Sequence, residues 1–369
     1  MVSVARKNLF AEKIRFAISV SGVAFSVLLI LILFGIYQGW RKQLTRYIES
    51  IPADIWILQK GSPDMFHSTS LLPLVLKDEI AKAEGVKSVK RYVGRQVMFT
   101  LNKEEVRTYL VGYDVSKDFA GPVSMVRGTK KIKGRQIIVD RVFAQQKNVE
   151  IGDTLKIVGK KFLIKGISEK GNVAIYQFSF IPLAEAEKLF GMENFANFFI
   201  IRKKDEVTVD TLKKNIEKKF PDVEVETREK FVNNNKKIIE ETFLPILWVL
   251  VLVGLIIGII IVGLMIYTAT IEKSKEYGIL KAIGASNLQL YKIILEQASI
   301  SGLLGYAIGI GAFLIFSRLI VYPVPSFVTL ITWVEYYRVF LFTIVMVLLS
   351  AYLPVRRIAH IDPADVFKA

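Results

Sequence analysis

One short segment of the sequence has the residue types to dock on a partner. Residues 270–302 carry charged side chains from Glu272 onward and lie between two long apolar segments, which leaves too little chain to fold alone. Glu272, Lys275 and Glu276 have the spacing of one exposed helical turn, and Gly284 could end the helix that follows. A small, partly apolar helix suits a groove on a partner protein, but an amphipathic helix lying on a membrane surface has the same pattern.

No other pattern in the sequence predicts chemistry. The sequence has no G-x-x-x-x-G-K-[ST] motif, so it offers no loop to cradle nucleotide phosphates. It contains no cysteine, which excludes disulfides and thiol chemistry, and His67 and His360 are too few and too far apart for a zinc site. We therefore expect neither catalysis nor a metal or cofactor of its own.

Four apolar segments must position the docking segment. Each lacks Asp, Glu, Lys and Arg: residues 16–40, 242–271, 297–317 and 339–355. A membrane-spanning helix needs roughly 20 residues, and the aromatic residues Trp333, Tyr336 and Tyr337 could lengthen the short fourth segment as an interfacial belt. We predict transmembrane helices over residues 16–40, 242–271, 293–320 and 336–355. Ser286 or Asn287 could cap the helix that enters the third span.

The charge distribution predicts the orientation. Basic residues dominate before the first span, in the loop 272–292 and in the tail 356–369, whereas the connection 321–335 has none. The positive-inside rule therefore places both termini and the 272–292 loop in the cytosol, and residues 41–241 outside. The net charge of +16 would suggest nucleic acid binding in a soluble protein, but this topology favours a lysine-rich solvated surface, with an anionic lipid surface or acidic substrate as alternatives.

Residues 41–241 read as one large α+β domain between the first two spans. Strand and helix signals alternate, and the outer parts predict one subdomain that is split by a β-rich insert at about 131–183. Residues 86–101 and 105–113 read as two paired strands, and residues 71–84 as a helix. The flanks 41–50 and 228–241 continue the helical pattern of spans one and two, which predicts a helical stalk.

Paired glycines recur in the spans at a spacing of four residues. This spacing permits close helix–helix contact, including a dimer contact, but glycine is also generally enriched in membrane helices, so both interpretations stay open. The pairs are Gly35 and Gly39, Gly254 and Gly258, and Gly305 and Gly309.

Longer motifs along the chain match one family pattern. The segment EKSKEYGILKAIGAS with LYKIILEQA follows the second span, ARKNLFAEKIRF precedes the first, and PVRRIA with IDPAD forms the tail, where Asp365 replaces the usual glutamate. The run VDRVFAQQKNVEIGDTLKI lies in the domain between the spans. Together they resemble the FtsX-like permeases of MacB-type (type VII) ABC systems. The amino-acid sequence of the loop is most similar to those of exporter permeases that pair with an adaptor protein.

The resemblance implies a four-span permease that acts as a homodimer with a separate ATPase subunit. Residues 1–15 would form an in-plane cytosolic helix, and ATP would be bound by the partner alone. The coupling surface would comprise Glu272, Lys275, Glu276, Tyr277, Gly278, Leu280, Lys281, Ala282, Gly284 and Ala285.

The function that the resemblance implies is export driven by movement of the extracytoplasmic domain. A periplasmic adaptor, or membrane fusion protein, would be a further partner, and the location would be the bacterial plasma (inner) membrane. Two alternatives stay open: a permease that regulates an extracytoplasmic enzyme by transmitting force, and one that releases lipoproteins from the membrane.

Overall fold

The structure is a computed structural model that describes residues 11–66, 69–171, 177–320 and 328–359. The chain divides into two compact units. We call Met1–Gly39 with Phe243–Ala369 the membrane unit, and Trp40–Thr242 the inserted domain. Most of the expected in-plane helix 1–15 and of the tail 356–369 lies outside the described residues.

Helices and strands alternate within the inserted domain, and long helices make up the membrane unit. The helices are α1 Lys13–Ser50, α2 Val75–Ala81, α3 Arg141–Lys147, α4 Leu183–Phe190, α5 Val209–Lys219, α6 Arg228–Glu272, α7 Ser274–Ala282, α8 Asn287–Leu319 and α9 Trp333–Ala359. The strands are β1 Ile55–Gln59, β2 Leu72–Pro73, β3 Val86–Tyr92, β4 Gly94–Leu101, β5 Glu104–Tyr113, β6 Ser124–Gly128, β7 Gln136–Asp140, β8 Thr154–Ile157, β9 Lys160–Glu169, β10 Phe178–Pro182, β11 Phe195–Ala196, β12 Phe198–Lys203 and β13 Val223–Thr227.

Four helices of the described chain, α1, α6, α8 and α9, are long and apolar enough to cross a membrane. Helix α6 has 45 residues, which at 1.5 Å per residue is about 68 Å, more than twice a hydrocarbon core of roughly 30 Å. Helix α1 has 38 residues and also continues past its apolar part. The flanks 41–50 and 228–241 are therefore helical, as their sequence pattern predicts.

The paired glycines make contacts inside the chain. A Cβ at Gly305 or Gly309 would lie 2.5 or 2.7 Å from the Cβ of Val23 or Val27, so these glycines let α8 approach α1 closely. A Cβ at Gly39 would collide with the carbonyl oxygen of Val328, so this glycine lets the chain at Val328 lie close to α1. In the third pair, a Cβ at Gly258 would collide with Met346. The glycines therefore make close contacts within the chain, and a dimer contact through them stays a prediction.

One sheet of the inserted domain has the strand order β13-β1-β12-β3 with antiparallel neighbours. Helices α2 and α5 connect its strands in the split β-α-β arrangement. One hydrophobic cluster joins Ile57 and Phe199 of the sheet to Ile80 of α2 and to Leu212 and Ile216 of α5. This subdomain is the split outer part that the sequence predicts.

The second sheet has the order β4-β5-β10-β7-β9-β6, with β8 paired to β9. It begins at Gly94, so the expected insert boundary near residue 131 is wrong. The predicted strand 86–101 is in fact two strands, because β3 pairs with β12 in the first sheet and β4 pairs with β5 in the second. Only Val93 separates β3 from β4, and strand pairing between distant segments decides the boundary there. The helix expected at 71–84 also shortens, to Val75–Ala81, after the short strand β2.

Asp140 places a buried carboxyl group in the second sheet. Its Oδ1 accepts a hydrogen bond from the backbone N–H of Val142 at 2.7 Å and so caps α3, while Oδ2 has no partner among the described residues. Burial raises the pKa of Asp140 to about 6. The folded state therefore binds more protons than the unfolded chain between about pH 4 and pH 6, so this group's contribution to the free energy of unfolding falls as pH rises through that window.

The substitution Asp140→Asn should stabilise the inserted domain above pH 6, because asparagine keeps the cap without the buried charge. The expected gain at pH 7.5 is up to about 3 kcal/mol, and it should shrink towards pH 4. Amide hydrogen exchange of β7 in the purified chain measures it. The control is Asp205→Asn, since the side chain of Asp205 is 91% exposed. A gain that does not depend on pH would contradict the assignment to the carboxyl group.

Candidate functional site

The docking segment forms one short helix between two long ones. Helix α7 follows α6 after Lys273 and ends at Ala282. Gly284 follows with φ +99°, a left-handed conformation that favours glycine, and the backbone N–H of Ala285 donates to Leu280 O at 2.9 Å. Gly284 therefore ends the helix as predicted.

Of the two candidate caps, Ser286 is the one that caps α8. Its Oγ accepts a hydrogen bond from the Gln289 N–H at 3.4 Å, and Gln289 Oε1 accepts one from the Ser286 N–H at 2.9 Å. This reciprocal pair is a capping box. The link between α7 and α8 is therefore short and ordered by its own hydrogen bonds.

One face of α7 exposes large apolar side chains. Ile279 is 49% exposed and Ile283, four residues later, is 75% exposed, so the two lie on the same face. Leu288, at the start of α8, is 66% exposed. Apolar groups this exposed between charged residues mark a surface that a partner or a lipid covers. The coupling residues expected from the sequence did not include Ile279 and Ile283.

The ten expected coupling residues do not share one face. Glu272, Lys275, Glu276, Ala282 and Gly284 are exposed, and Leu280, Lys281 and Ala285 are partly buried. Tyr277 and Gly278 are buried against the membrane unit, where Tyr277 lines a small cavity with Phe16 and Gln297.

A charged cluster holds the junction between α6 and α7 against the start of α1. Arg15 forms a two-pronged ion pair with Glu272, with N–O distances of 2.6 and 2.5 Å, and a second pair with Glu12 at 2.8 Å. Lys273 also pairs with Glu12, at 3.4 Å. Arg–carboxylate pairs of this geometry orient both side chains as well as attract them. Sequence reading missed this cluster because Arg15 and Glu272 are 257 residues apart.

A buried carboxylate fixes the connection that leads into α9. Glu335 is 1% exposed, and its Oε1 accepts a hydrogen bond from Gln38 Nε2 at 2.7 Å. Its Oε2 accepts one from the Thr332 N–H at 3.0 Å, and the Leu330 N–H donates to Gly35 O at 3.0 Å. These bonds hold the segment before α9 against α1 within the membrane unit.

Aromatic side chains anchor the two flanking helices within the inserted domain. Tyr47 of α1 packs on Phe178 of the second sheet with ring centres 4.3 Å apart. Phe231 of α6 stacks on Trp56 of the first sheet at 4.4 Å. All four rings are fully buried. Each of the two helices therefore packs against a different sheet of the same domain.

Polar contacts join the two flanking helices to each other inside this domain. Arg41 of α1 pairs with Glu240 of α6 at 2.9 Å, and Lys236 lies 4.0 Å from Glu49. The buried Asn235 accepts a hydrogen bond from the Met65 N–H at 3.0 Å. The flanks are thus held both to each other and to the domain core, which makes them able to move as one body with it.

These features define a class of protein: a membrane protein with four candidate spanning helices, a large α+β domain between the first two, and a short exposed helix between the second and third. Residues 16–219 match the MacB-like periplasmic core domain, and residues 248–363 match the FtsX-like permease C-terminal domain. The first match covers more than half of the chain. The chain therefore belongs to the FtsX-like, MacB-type family of ABC transporter permeases.

Individual relatives are distant. An uncharacterised ABC transporter permease of Methanocaldococcus jannaschii is 25% identical over 60% of this chain, and the match spans 58% of that relative's own length. A putative hemin transport system permease protein HrtB of Staphylococcus epidermidis is 22% identical over 88% of both chains. A macrolide export ATP-binding/permease protein MacB of Marinobacter nauticus is 25% identical over 97% of this chain and 59% of its own. The crystal structure of the periplasmic region of MacB from Actinobacillus actinomycetemcomitans matches 54% of this chain and 98% of its own, with 13% identity and a TM-score of 0.37.

Proposed function

We propose that this chain is the permease subunit of an exporter whose ATPase is a separate subunit. ATP binding and hydrolysis by that partner move the inserted domain and drive export of a substrate. The observation that carries the proposal is the exposed apolar pair of Ile279 in α7 and Ile283 at its C-terminal end. Helix α7 ends at Gly284 and follows the ion pair of Arg15 with Glu272. Such a helix fits a groove on a partner at the cost of little ordering entropy.

The ion pairs of the charged cluster can transmit force from the docked helix α7 to α1. A force on α7 acts directly on Glu272 and Lys273, which pair with Arg15 and Glu12 at the start of α1. Since α1 and α6 continue as helices to the aromatic anchors of the inserted domain, both can carry that displacement. This continuity supports mechanical drive of the inserted domain.

We further propose an orientation, a location and an assembly for this chain. Both termini and the α7 loop face the cytosol, the inserted domain lies outside, and the membrane is the plasma membrane, the inner one in a bacterium with two. The lysine-rich α7 loop supports this orientation. A second copy of the permease, a second ATPase subunit and an adaptor complete the assembly that the family suggests, and ATP is held by the partner alone.

Orientation tests the proposal directly, because a cytosolic ATPase reaches α7 only if the loop is cytosolic. Single cysteines in this cysteine-free chain report it: Ser116→Cys in the inserted domain and Asn287→Cys after α7, both at exposed positions. In intact cells, an impermeant maleimide should label the first and spare the second. Lysed cells, in which both should react, are the control. The reverse pattern in intact cells would exclude docking of a cytosolic ATPase on α7.

A further inference from the structure

The inserted domain contains a cleft between its two sheets. It lies where the loop after β1, the edge strand β4, the end of α4 and the segment before β12 come together, and its volume is about 450 Å³. Clefts of roughly 300–1,000 Å³ are typical of small-molecule sites. All the described lining residues belong to the inserted domain.

The floor and walls of the cleft are aromatic and thioether groups. Met65, Tyr109 and Met192 form a buried floor, at 3%, 4% and 6% exposure. Phe190 and Phe195 line the walls and are only partly buried. Aromatic faces pack well on flat apolar groups, and methionine adapts its shape to irregular ones. The interior thus suits an organic molecule with an apolar body.

The polar groups at the back of the cleft are already satisfied by the protein. Asn197 Oδ1 accepts a hydrogen bond from the Gly94 N–H at 2.9 Å, and its Nδ2 donates to Ser70 O at 3.0 Å. The Tyr109 hydroxyl lies 3.2 Å from Met65 O and 3.3 Å from Gly94 O. These bonds hold the walls at a fixed separation. The polar groups of Asn197 and Tyr109 therefore need no hydrogen bond from a ligand at the back of the cleft.

Among the described lining residues, one at the mouth of the cleft is charged. Arg95 lines it from the edge strand β4, and no described residue forms an ion pair or hydrogen bond with the Arg95 side chain. None of the described lining residues is acidic. Some guanidinium groups elsewhere in this domain pair with carboxylates, as Arg41 does with Glu240 and Arg91 with Glu187. An unpaired guanidinium beside an apolar cleft offers a two-pronged contact to a carboxylate, sulfonate or phosphate group.

We propose that this cleft binds a small amphipathic anion, with an aromatic or aliphatic body against the floor and its acidic group on Arg95. The cleft is too small for a two-chain phospholipid, so the ligand is a single small molecule. This inference rests on the proposed function in one respect only, namely that the ligand is a transported substrate. Binding itself needs neither the ATPase nor ATP.

Two dyes with the same apolar body test the charge. Aniline-naphthalene sulfonate (1-anilinonaphthalene-8-sulfonate) carries an anionic group, and N-phenyl-1-naphthylamine lacks it. The reporter is the rate at which an impermeant maleimide labels Thr69→Cys at the rim, in the full chain in phosphatidylcholine nanodiscs. The sulfonate should slow labelling. The uncharged dye should need an about tenfold higher concentration for the same protection, because it lacks one charge-assisted hydrogen bond. Gln96→Cys, also at the rim, is the second reporter if the first variant does not fold.

Matched variants locate the effect. Arg95→Gln should raise the sulfonate concentration for half-protection about tenfold, whereas Arg107→Gln, an exposed arginine on the neighbouring strand β5, should not change it. The thiol of Ser116→Cys lies outside the lining residues and should react at the same rate with either dye. Equal protection at positions 69 and 116, no protection at the rim, or an Arg95→Gln variant that binds as the parent does would each overturn the site.

These outcomes are separate from those of the proposed function. If the chain docks its ATPase through α7 but the rim shows no protection, the binding site is wrong and the permease role stands. If the rim is protected but the α7 loop proves not to be cytosolic, the binding site stands and the exporter function is wrong.

Discussion

The substitution Ile283→Asp should strongly weaken binding of the ATPase subunit while the chain still enters the membrane. Ile283 is the most exposed large apolar residue of α7 and its flanks, at 75%. A groove that covers it gains about 1.5–3 kcal/mol from its burial, and a carboxylate there would add an unpaired charge at an apolar interface. The affinity should therefore fall at least about a hundredfold. Binding of the purified ATPase to the chain in nanodiscs measures it.

Val158→Asp is the matched control for this experiment. Val158 is 54% exposed in the turn between β8 and β9 of the inserted domain, where the same change of side chain should leave ATPase binding at the parental level. If α7 instead lies on the membrane surface, Ile283→Asp should weaken its contact with lipid but not with the ATPase. Parental ATPase affinity in the Ile283→Asp variant would therefore favour the membrane-surface interpretation over docking.

Flexible linkers in α1 and α6 should separate ATP hydrolysis from movement of the inserted domain. Four glycines between Glu241 and Thr242 of α6, together with four between Trp40 and Arg41 of α1, would interrupt both helices at the boundary of the inserted domain. Each helical glycine costs about 1 kcal/mol relative to alanine, and a glycine run loses its stiffness. The insertion in α6 lies beyond Asn235, whose hydrogen bond to the Met65 N–H ties the helix to the domain.

The expected result is continued hydrolysis without nucleotide-dependent movement. Labels at Ser116→Cys in the inserted domain and Ser317→Cys in α8 report the distance between the two units with and without ATP. Insertions of four alanines at the same positions are the control, because alanine keeps the helix and its stiffness, and they should preserve the movement. If the distance still changes with ATP in the glycine variant as it does in the parent, the two helices are not the levers and mechanical drive of the domain fails.

Features that depend on neighbouring residues could be predicted from the sequence. Charge-free runs of some 20 residues predict membrane helices because the cost of burying backbone and charge in lipid is summed over contiguous residues. The end of α7 at Gly284 and the start of α8 at Ser286 were predictable for the same reason, since a cap acts through hydrogen bonds within three or four residues. The family resemblance rested on these local segments and is confirmed by both domain matches.

Contacts between distant residues were decided only by the tertiary structure. The sequence from 86 to 101 has continuous strand character, and its division at Val93 follows from pairing with β12 on one side and β5 on the other. The spacing of α7 predicts a helix, but only packing against the membrane unit shows that Tyr277 is buried and that Ile279 and Ile283 remain exposed. Arg15 and Glu272 meet across 257 residues, and the cleft beside Arg95 needs four separate segments. Periodicity and composition describe one stretch of chain at a time, whereas burial and ion pairing depend on which stretches the fold brings together.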